Sequence, residues 1–351
     1  MSIILAILLF SFIVFFHELG HFIAAKRCGV EVIEFSLGFG PRLLSRQWGN
    51  TRYSLKLIPL GGSNMMKGDD PEDLSEGSFY GAGVGKRILI VLAGPVFNFI
   101  LAWILSVILL LNAGVDYPVI ISVTEGKPAA KAGMEAGDVI RSIDGKHISF
   151  YREIEDYSMF HQDRMQEGRP IRVTWMHQGE KHSADLVPVE SEQGKYIFGI
   201  SGSHNYRFRV NVLQAMQFAA AETGYWISMT VQSLKMLFTG EAKATELTGP
   251  VGVVNVVNET VEETKDDGIF YIFLNLLNLA ILLSANIGVI NLLPIPALDG
   301  GRLLLFLVEA VRRKRNNPQV EMRINYVGIL LILALMVFVM FNDVRRIVFG
   351  G

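Results

Sequence analysis

His17-Glu18-Leu19-Gly20-His21 has the residue types and spacing of a metal-dependent hydrolytic motif. On a helix, residues four apart share one face, about 6 Å apart along the axis. Two imidazoles so placed can share one zinc ion, and Glu18 between them can take a proton from a water on that ion. The residues before the motif, 2–16, are almost wholly hydrocarbon. The motif is therefore expected inside or at the edge of a bilayer, where ionisable groups cost roughly 2.5–3.5 kcal/mol each on insertion scales and mark function. The pattern is short enough to recur by chance, and residues 2–16 also match the core of a signal peptide in length. Against the latter, no basic residue precedes the apolar stretch and no small-residue cleavage site follows it. Because the helical pattern continues through Phe22-Ile23-Ala24-Ala25, residues 1–25 read as one membrane helix.

Two histidines leave a catalytic zinc site short of a third protein ligand. No Glu or His follows His21 at the short spacing of soluble zinc proteases. The candidate is Asp299, in Asn291-Leu-Leu-Pro-Ile-Pro-Ala-Leu-Asp299-Gly-Gly-Arg302. Pro294 and Pro296 break helical hydrogen bonding, and Gly300-Gly301 permits an unusual backbone path. At membrane depth such a break is tolerated where it lines a cavity. The alternative is a capped helix end followed by a new helix at Arg302.

The elements that must bring these residues together are membrane helices. Half of the residues are hydrophobic and 19% are charged, which suits a membrane protein with an aqueous part. The formal net charge of −2 argues against a nucleic-acid surface. The single cysteine, Cys28, excludes an internal disulfide and a cysteine zinc cage. Four segments are predicted to span: 1–25, 87–113, 270–293 and 324–342. Lys26, Arg27, Arg42, Arg46, Lys86, Arg87 and Arg312–Arg315 fall on one side of that arrangement, which the positive-inside rule makes cytoplasmic; Arg345 and Arg346 run against it. Spans one and three then both run inward, so His17, His21 and Asp299 share one depth near the cytoplasmic face.

Between the first two spans, residues 31–41 and 51–59 alternate polar and apolar around a Gly49-Asn50 turn and are predicted as strands. A strand pair at membrane depth must be shielded by protein, and its spare edge could receive an extended peptide; a simple cytoplasmic hairpin fits the same pattern. Residues 67–85 form an acidic loop. Beyond the second span, strands are predicted at 119–123, 139–143, 171–175 and 183–187, with helix at 129–138 and 154–166. The run from Pro128 to Gly145 resembles a PDZ domain of the kind found in bacterial proteases. Residues 209–239 read as a helix lying on the membrane, or as a fifth span that would invert everything after it.

Several motifs occur in one order: His17–His21, Gly38-Phe39-Gly40, Ala93-Gly-Pro-Val-Phe-Asn98, one PDZ-like run, Leu247-Thr-Gly-Pro-Val-Gly252, and Asn291 to Gly300. In that order they resemble the bacterial site-2 protease family, the M50-type intramembrane zinc metalloproteases of the RseP/RasP kind, over nearly the whole chain. The resemblance implies a polytopic α-helical membrane protein of about four transmembrane helices. It would carry a membrane-associated β-hairpin and one extracytoplasmic PDZ-like α+β domain, where some relatives have two. The expected divisions are 1–114 and 269–351 for the two halves of the protease core, 115–203 for the PDZ-like domain, and 204–268 for an amphipathic helix and linker. The resemblance further implies one Zn2+ held by His17, His21 and Asp299, with Glu18 as the base. Asn291, Pro294, Pro296, Gly38, Phe39 and Gly40 would contact substrate, held extended along residues 35–40. Substrates would be single-pass transmembrane proteins cut within the bacterial plasma or inner membrane, such as anti-sigma factors or remnant signal peptides. The expected partners are those substrates, membrane lipids and a peptide end at the PDZ-like domain, with no nucleic acid. A non-catalytic PDZ scaffold and a metal transporter are the other classes that the same residues could serve.

Overall fold

The computed structural model describes residues 2–70, 72–191, 194–202, 207–241 and 249–349. They form two units, Met1–Ser106 with Glu222–Gly351, and Val107–Ala221. The chain enters as α1 (Ser2–Cys28), a continuous, mostly apolar helix in which His17 and His21 are buried. Two long antiparallel strands follow, β1 (Val32–Trp48) and β2 (Thr51–Met66), joined by the expected turn at Gly49-Asn50.

Both strands outrun the expected 31–41 and 51–59, because glycines let each fold over and go on pairing. Gly38, Gly40 and Gly61 all have φ of 86°, a region open to glycine at no steric cost. The result is a sheet of four rows in the order 58–66, 32–39, 51–56 and 42–48. Phe35, Ser36 and Leu37 face Tyr53–Leu55 on one side and Gly62–Asn64 on the other. Glu34 is buried in this sheet and accepts two hydrogen bonds from Arg42, 2.8 Å from Nε and 2.7 Å from Nη2. That pairing holds its carboxyl down at about 2. Leu43, Leu44 and Trp48 on the 42–48 row, and Leu57 at the corner before the 58–66 row, are exposed, as expected of a membrane-associated sheet.

α2 (Val84–Ala113) then runs from the first unit into the second. The second unit comprises β3 (Ser122–Val123), α3 (Pro128–Lys131), β4 (Val139–Ile143), β5 (Lys146–His147), α4 (Arg152–Phe160), α5 (Gln162–Gln166), β6 (Ile171–His177), β7 (Glu180–Leu186), β8 (Val189–Glu190), β9 (Tyr196–Ile197) and β10 (Ile200–Ser201). Its main sheet is antiparallel in the order β5-β4-β6-β7, over a core that includes Ile120, Ile140, Ile171, Trp175 and Phe198. Asp144-Gly145 and Gln178-Gly179 both have positive φ at two successive residues, which suits tight hairpins. The strand expected at 119–123 shrinks to two residues. Ile120 N–H donates to Asp138 O and Ile121 N–H to Ser201 O, so neighbouring residues serve different partners and no longer ladder can form.

α6 (Val212–Thr239), α7 (Pro250–Thr264), α8 (Ile269–Asn291), α9 (Asp299–Arg312) and α10 (Pro318–Phe349) complete the chain. Among the described residues, four helices are long and apolar enough to cross a membrane: α1, α2, α8 and the Pro318–Arg346 part of α10. α6 is not one of them; its Thr230 hydroxyl donates to Asn286 on α8. Of the Leu247–Gly252 motif, Leu247 and Thr248 lie outside the described residues. The remainder starts α7, where Asp343 of α10 accepts the N–H of Gly249 at 3.2 Å and of Gly252 at 2.8 Å, capping the helix from a distance in sequence.

One buried cluster joins α2, α9, α10 and the 67–83 loop. Arg87, 2% exposed, pairs with Glu309 and lies 5.4 Å from the ring centre of Tyr80 and 4.8 Å from that of Phe306. The Tyr80 hydroxyl donates to Glu321. Removing one member of a buried ion pair leaves the other charge uncompensated, at a cost of about 3–5 kcal/mol. Glu309→Ala is therefore expected to lower the unfolding midpoint strongly in a thermal melt of the detergent-solubilised protein. Exchanging both partners, Arg87→Met with Glu309→Leu, should cost much less; an equal loss would show that the charge balance is not what matters.

Candidate metal centre

Three donor atoms converge from opposite ends of the chain. His17 Nε2 and His21 Nε2 lie 3.2 Å apart, and Asp299 Oδ2 lies 3.1 Å from the first and 3.3 Å from the second. A tetrahedral zinc ion with bonds of about 2.0–2.1 Å places its ligand atoms about 3.3 Å apart. The residues present therefore fit such an ion. His17, His21 and Asp299 are the group of metal-ligating side chains found among the described residues.

The imidazoles are oriented from α2. Ile90, Gly94 and Asn98 follow one another at single-turn spacing on the face toward α1. His21 Nδ1 donates to the Ile90 carbonyl at 2.8 Å, which leaves its Nε2 lone pair toward the centre. The Asn98 side-chain amide reaches His17 Nδ1 through its nitrogen, at 3.2 Å, and so fixes the ring from the α2 side. Gly94 makes the approach possible. A Cβ there would run into Nε2 and Cε1 of His21 and Cε1 of His17.

Asp299 is delivered by the break between α8 and α9. α8 ends at Asn291, Ala297 takes a left-handed φ of 73°, and Asp299 opens α9. A Cβ on Gly300, Gly301 or Gly328 would strike Leu292–Leu293, Ile295 or Pro296, so the connecting loop lies hard against glycine backbone. The start of α9 favours a negative charge at Asp299.

Glu18, His21 and Asp299 line one cavity of about 200 Å³ with Gly62, Asn64, Asp69, Phe79 and Arg302. Arg302 also pairs with Asp69 at 3.2 Å. The structure thus gathers His17, Glu18, His21 and Asp299 in one place. Asn291, Pro294, Pro296, Gly38, Phe39 and Gly40 do not line this cavity. Asn291 closes α8, Pro296 packs on Gly328, and half-exposed Phe39 pairs with Ile58 at the sheet corner. The row expected to receive an extended peptide, 35–40, has no free edge at residues 35–37, since both sides are occupied. The row beside Glu18 is 61–66, and its outer edge has no strand partner among the described residues. Neither that row nor the orienting groups Ile90 and Asn98 received a role from sequence. Asn98 did stand in a recognised motif, whereas nothing in Gly62-Ser63-Asn64 distinguishes it from a turn.

A family model described as Peptidase family M50 matches residues 5–335. The zinc metalloprotease RasP of Bacillus licheniformis is 30% identical, over 99% of this chain and 99% of its own length. The regulator of sigma-W protease RasP of Bacillus subtilis is 29% identical, again over 99% of both. Among solved structures, the PDZ domain of an SdrC-like protein from Listeria monocytogenes covers 24% of this chain and 86% of itself, with 26% identity and a TM-score of 0.22.

Gly94→Ala should push both imidazoles out of place. Its zinc content by elemental analysis is expected to fall well below that of the unaltered chain, with helical circular dichroism retained. Full zinc occupancy in that variant would show that the close approach of α2 is not required.

Proposed function

The chain belongs to peptidase family M50 and is an intramembrane zinc metalloprotease, and on that premise we propose that His17, His21 and Asp299 hold its zinc ion and that Glu18 is its base. The observation that carries this assignment is the triangle of donor atoms 3.1–3.3 Å on a side, with Glu18 on the wall of the same cavity. When bound, zinc would supply a Lewis acid for the attacking water and the scissile carbonyl. Glu18 takes the proton of the attacking water and returns it to the leaving amine. Ile90 holds His21 in the tautomer that coordinates through Nε2, and Asn98 steadies the His17 ring at Nδ1. Met66, Phe79, Ile90 and Val91 form the apolar part of a wall that is otherwise polar.

A helical substrate must unwind before attack, because its peptide carbonyls are enclosed by the helix. The unpaired outer edge of residues 61–66 can accept the extended segment by strand addition. The substrates are single-pass membrane proteins, such as anti-sigma factors or remnant signal peptides, by analogy with the sigma-W regulator of Bacillus subtilis. The protein is a bacterial membrane protein, with the centre toward the cytoplasmic side and residues 115–268 outside, as the distribution of Lys and Arg favours. The Val107–Ala221 unit is PDZ-like. Its Pro128–Gly145 run forms α3, β4 and the turn after it, and a cavity of about 500 Å³ between α4 and β9–β10 offers Tyr151, Ile154, Tyr196 and Phe198 to a peptide end.

Glu18→Gln is expected to keep zinc and lose cleavage of a reconstituted single-span substrate by about 100-fold or more. Turnover at the unaltered rate would reject Glu18 as the base. Asp299→Ala should lower zinc occupancy, read by elemental analysis, and full occupancy would remove it from the ligand set.

A further inference from the structure

The wall of the catalytic cavity holds a polar side chain with no work to do in the substrate-free protein. Asn64 lines the cavity with Glu18, His21 and Asp299. Both its amide nitrogen and its amide oxygen are buried with no hydrogen-bond partner among the described residues. Native structures rarely leave a buried amide unpaired, since doing so sacrifices stability, so each such case calls for an explanation.

Strand geometry gives the direction. A Cβ on Gly62 would lie 3.2 Å from Glu18 Cγ, so Gly62 faces the catalytic glutamate. Asn64 is two residues further along a regular stretch of β2 and shares that face. Its cross-strand partner Phe35 packs on Phe15 and Phe22 of α1, which confirms that this face looks toward the helix of the motif. Ser63, between them, also borders the cavity, but its hydroxyl is already paired with that of Ser36 at 2.9 Å.

A carboxamide offers one acceptor and a donor side by side, the complement of a peptide group. A substrate segment unwound at membrane depth has that same pair unsatisfied, with no water to meet it. We infer that Asn64 binds a backbone peptide group of the unwound substrate next to the scissile bond, and so positions that bond against Glu18. This rests on the protease reading above. The amide is left unpaired in the free protein because its partner arrives with the substrate.

Asn64→Leu, with Asn64→Ala as a second variant, separates this role from a structural one. In vesicles with a single-span substrate, kcat/KM is expected to fall at least about tenfold. Zinc content should be unchanged, and Tm unchanged or raised, because two unpaired buried atoms are gone. A set of substrates with single peptide N–H groups replaced by ester oxygen around the scissile bond adds a direct reading. One ester should slow the unaltered enzyme but not Asn64→Leu. Unaltered kcat/KM in the variants, a fall in Tm that accounts for lost activity, or ester effects identical in both enzymes would each overturn the assignment. An unaltered chain that holds zinc and cleaves no substrate would instead remove the protease reading, and this inference with it.

Discussion

Three possible metal ligands held within about 3.3 Å of one another inside a bilayer protein are the constraint on which the rest depends. With the His21 Nδ1 proton directed at the Ile90 carbonyl and the Asn98 amide set against His17 Nδ1, both Nε2 atoms meet the Asp299 carboxylate at about 3 Å. A single cation between them would be held by all three at once. Every nearby feature serves to hold that arrangement: a glycine that lets α2 approach, a carbonyl and an amide that fix the rings, and a helix start that steadies the carboxylate.

Holding Asp299 is the harder half, because its support is a helix break. A break frees backbone groups that lipid cannot satisfy. Here the loop turns within itself, with Ile295 N–H donating to Leu293 O and Leu298 N–H to Ile295 O, and lies against glycines of α9 and α10. The Arg87–Glu309 pair then ties the far end of α9 to the start of α2. The helix that carries the carboxylate is thereby fastened to the helix that orients the histidines. Two stretches nearly the whole chain apart become one rigid site.

Much of this was legible in the sequence where one residue type admits few uses. The four apolar segments match α1, α2, α8 and α10, and the Gly49-Asn50 turn falls where expected. His17, His21 and Asp299 were legible because charged groups in apolar surroundings need a reason. The sheet was not fully legible. Alternation gave strands, but it could not reveal that glycines at 38, 40 and 61 would fold two strands into four rows and occupy the edge at 35–37. The role of Asn98 was hidden for a different reason. Its partner is a histidine on another helix, and no local pattern records a contact of that range.

The same limit on hydrogen bonding that shapes the enzyme also shapes what it can cut. A transmembrane substrate is stable because every backbone group is paired within its own helix. Opening a few residues of that helix exposes donors and acceptors that only protein can meet at that depth. The edge of residues 61–66 would supply them along the backbone, since it lies beside Glu18 rather than on the far side of the sheet. Strand addition there would satisfy the unwound segment and present its carbonyl to the base in one motion. On that proposal, selection among membrane helices would fall to those whose helical pairing is weak enough to be exchanged for the edge. A substrate span with glycine, or with side chains that compete for backbone bonds, would meet that condition more easily than a run of leucine.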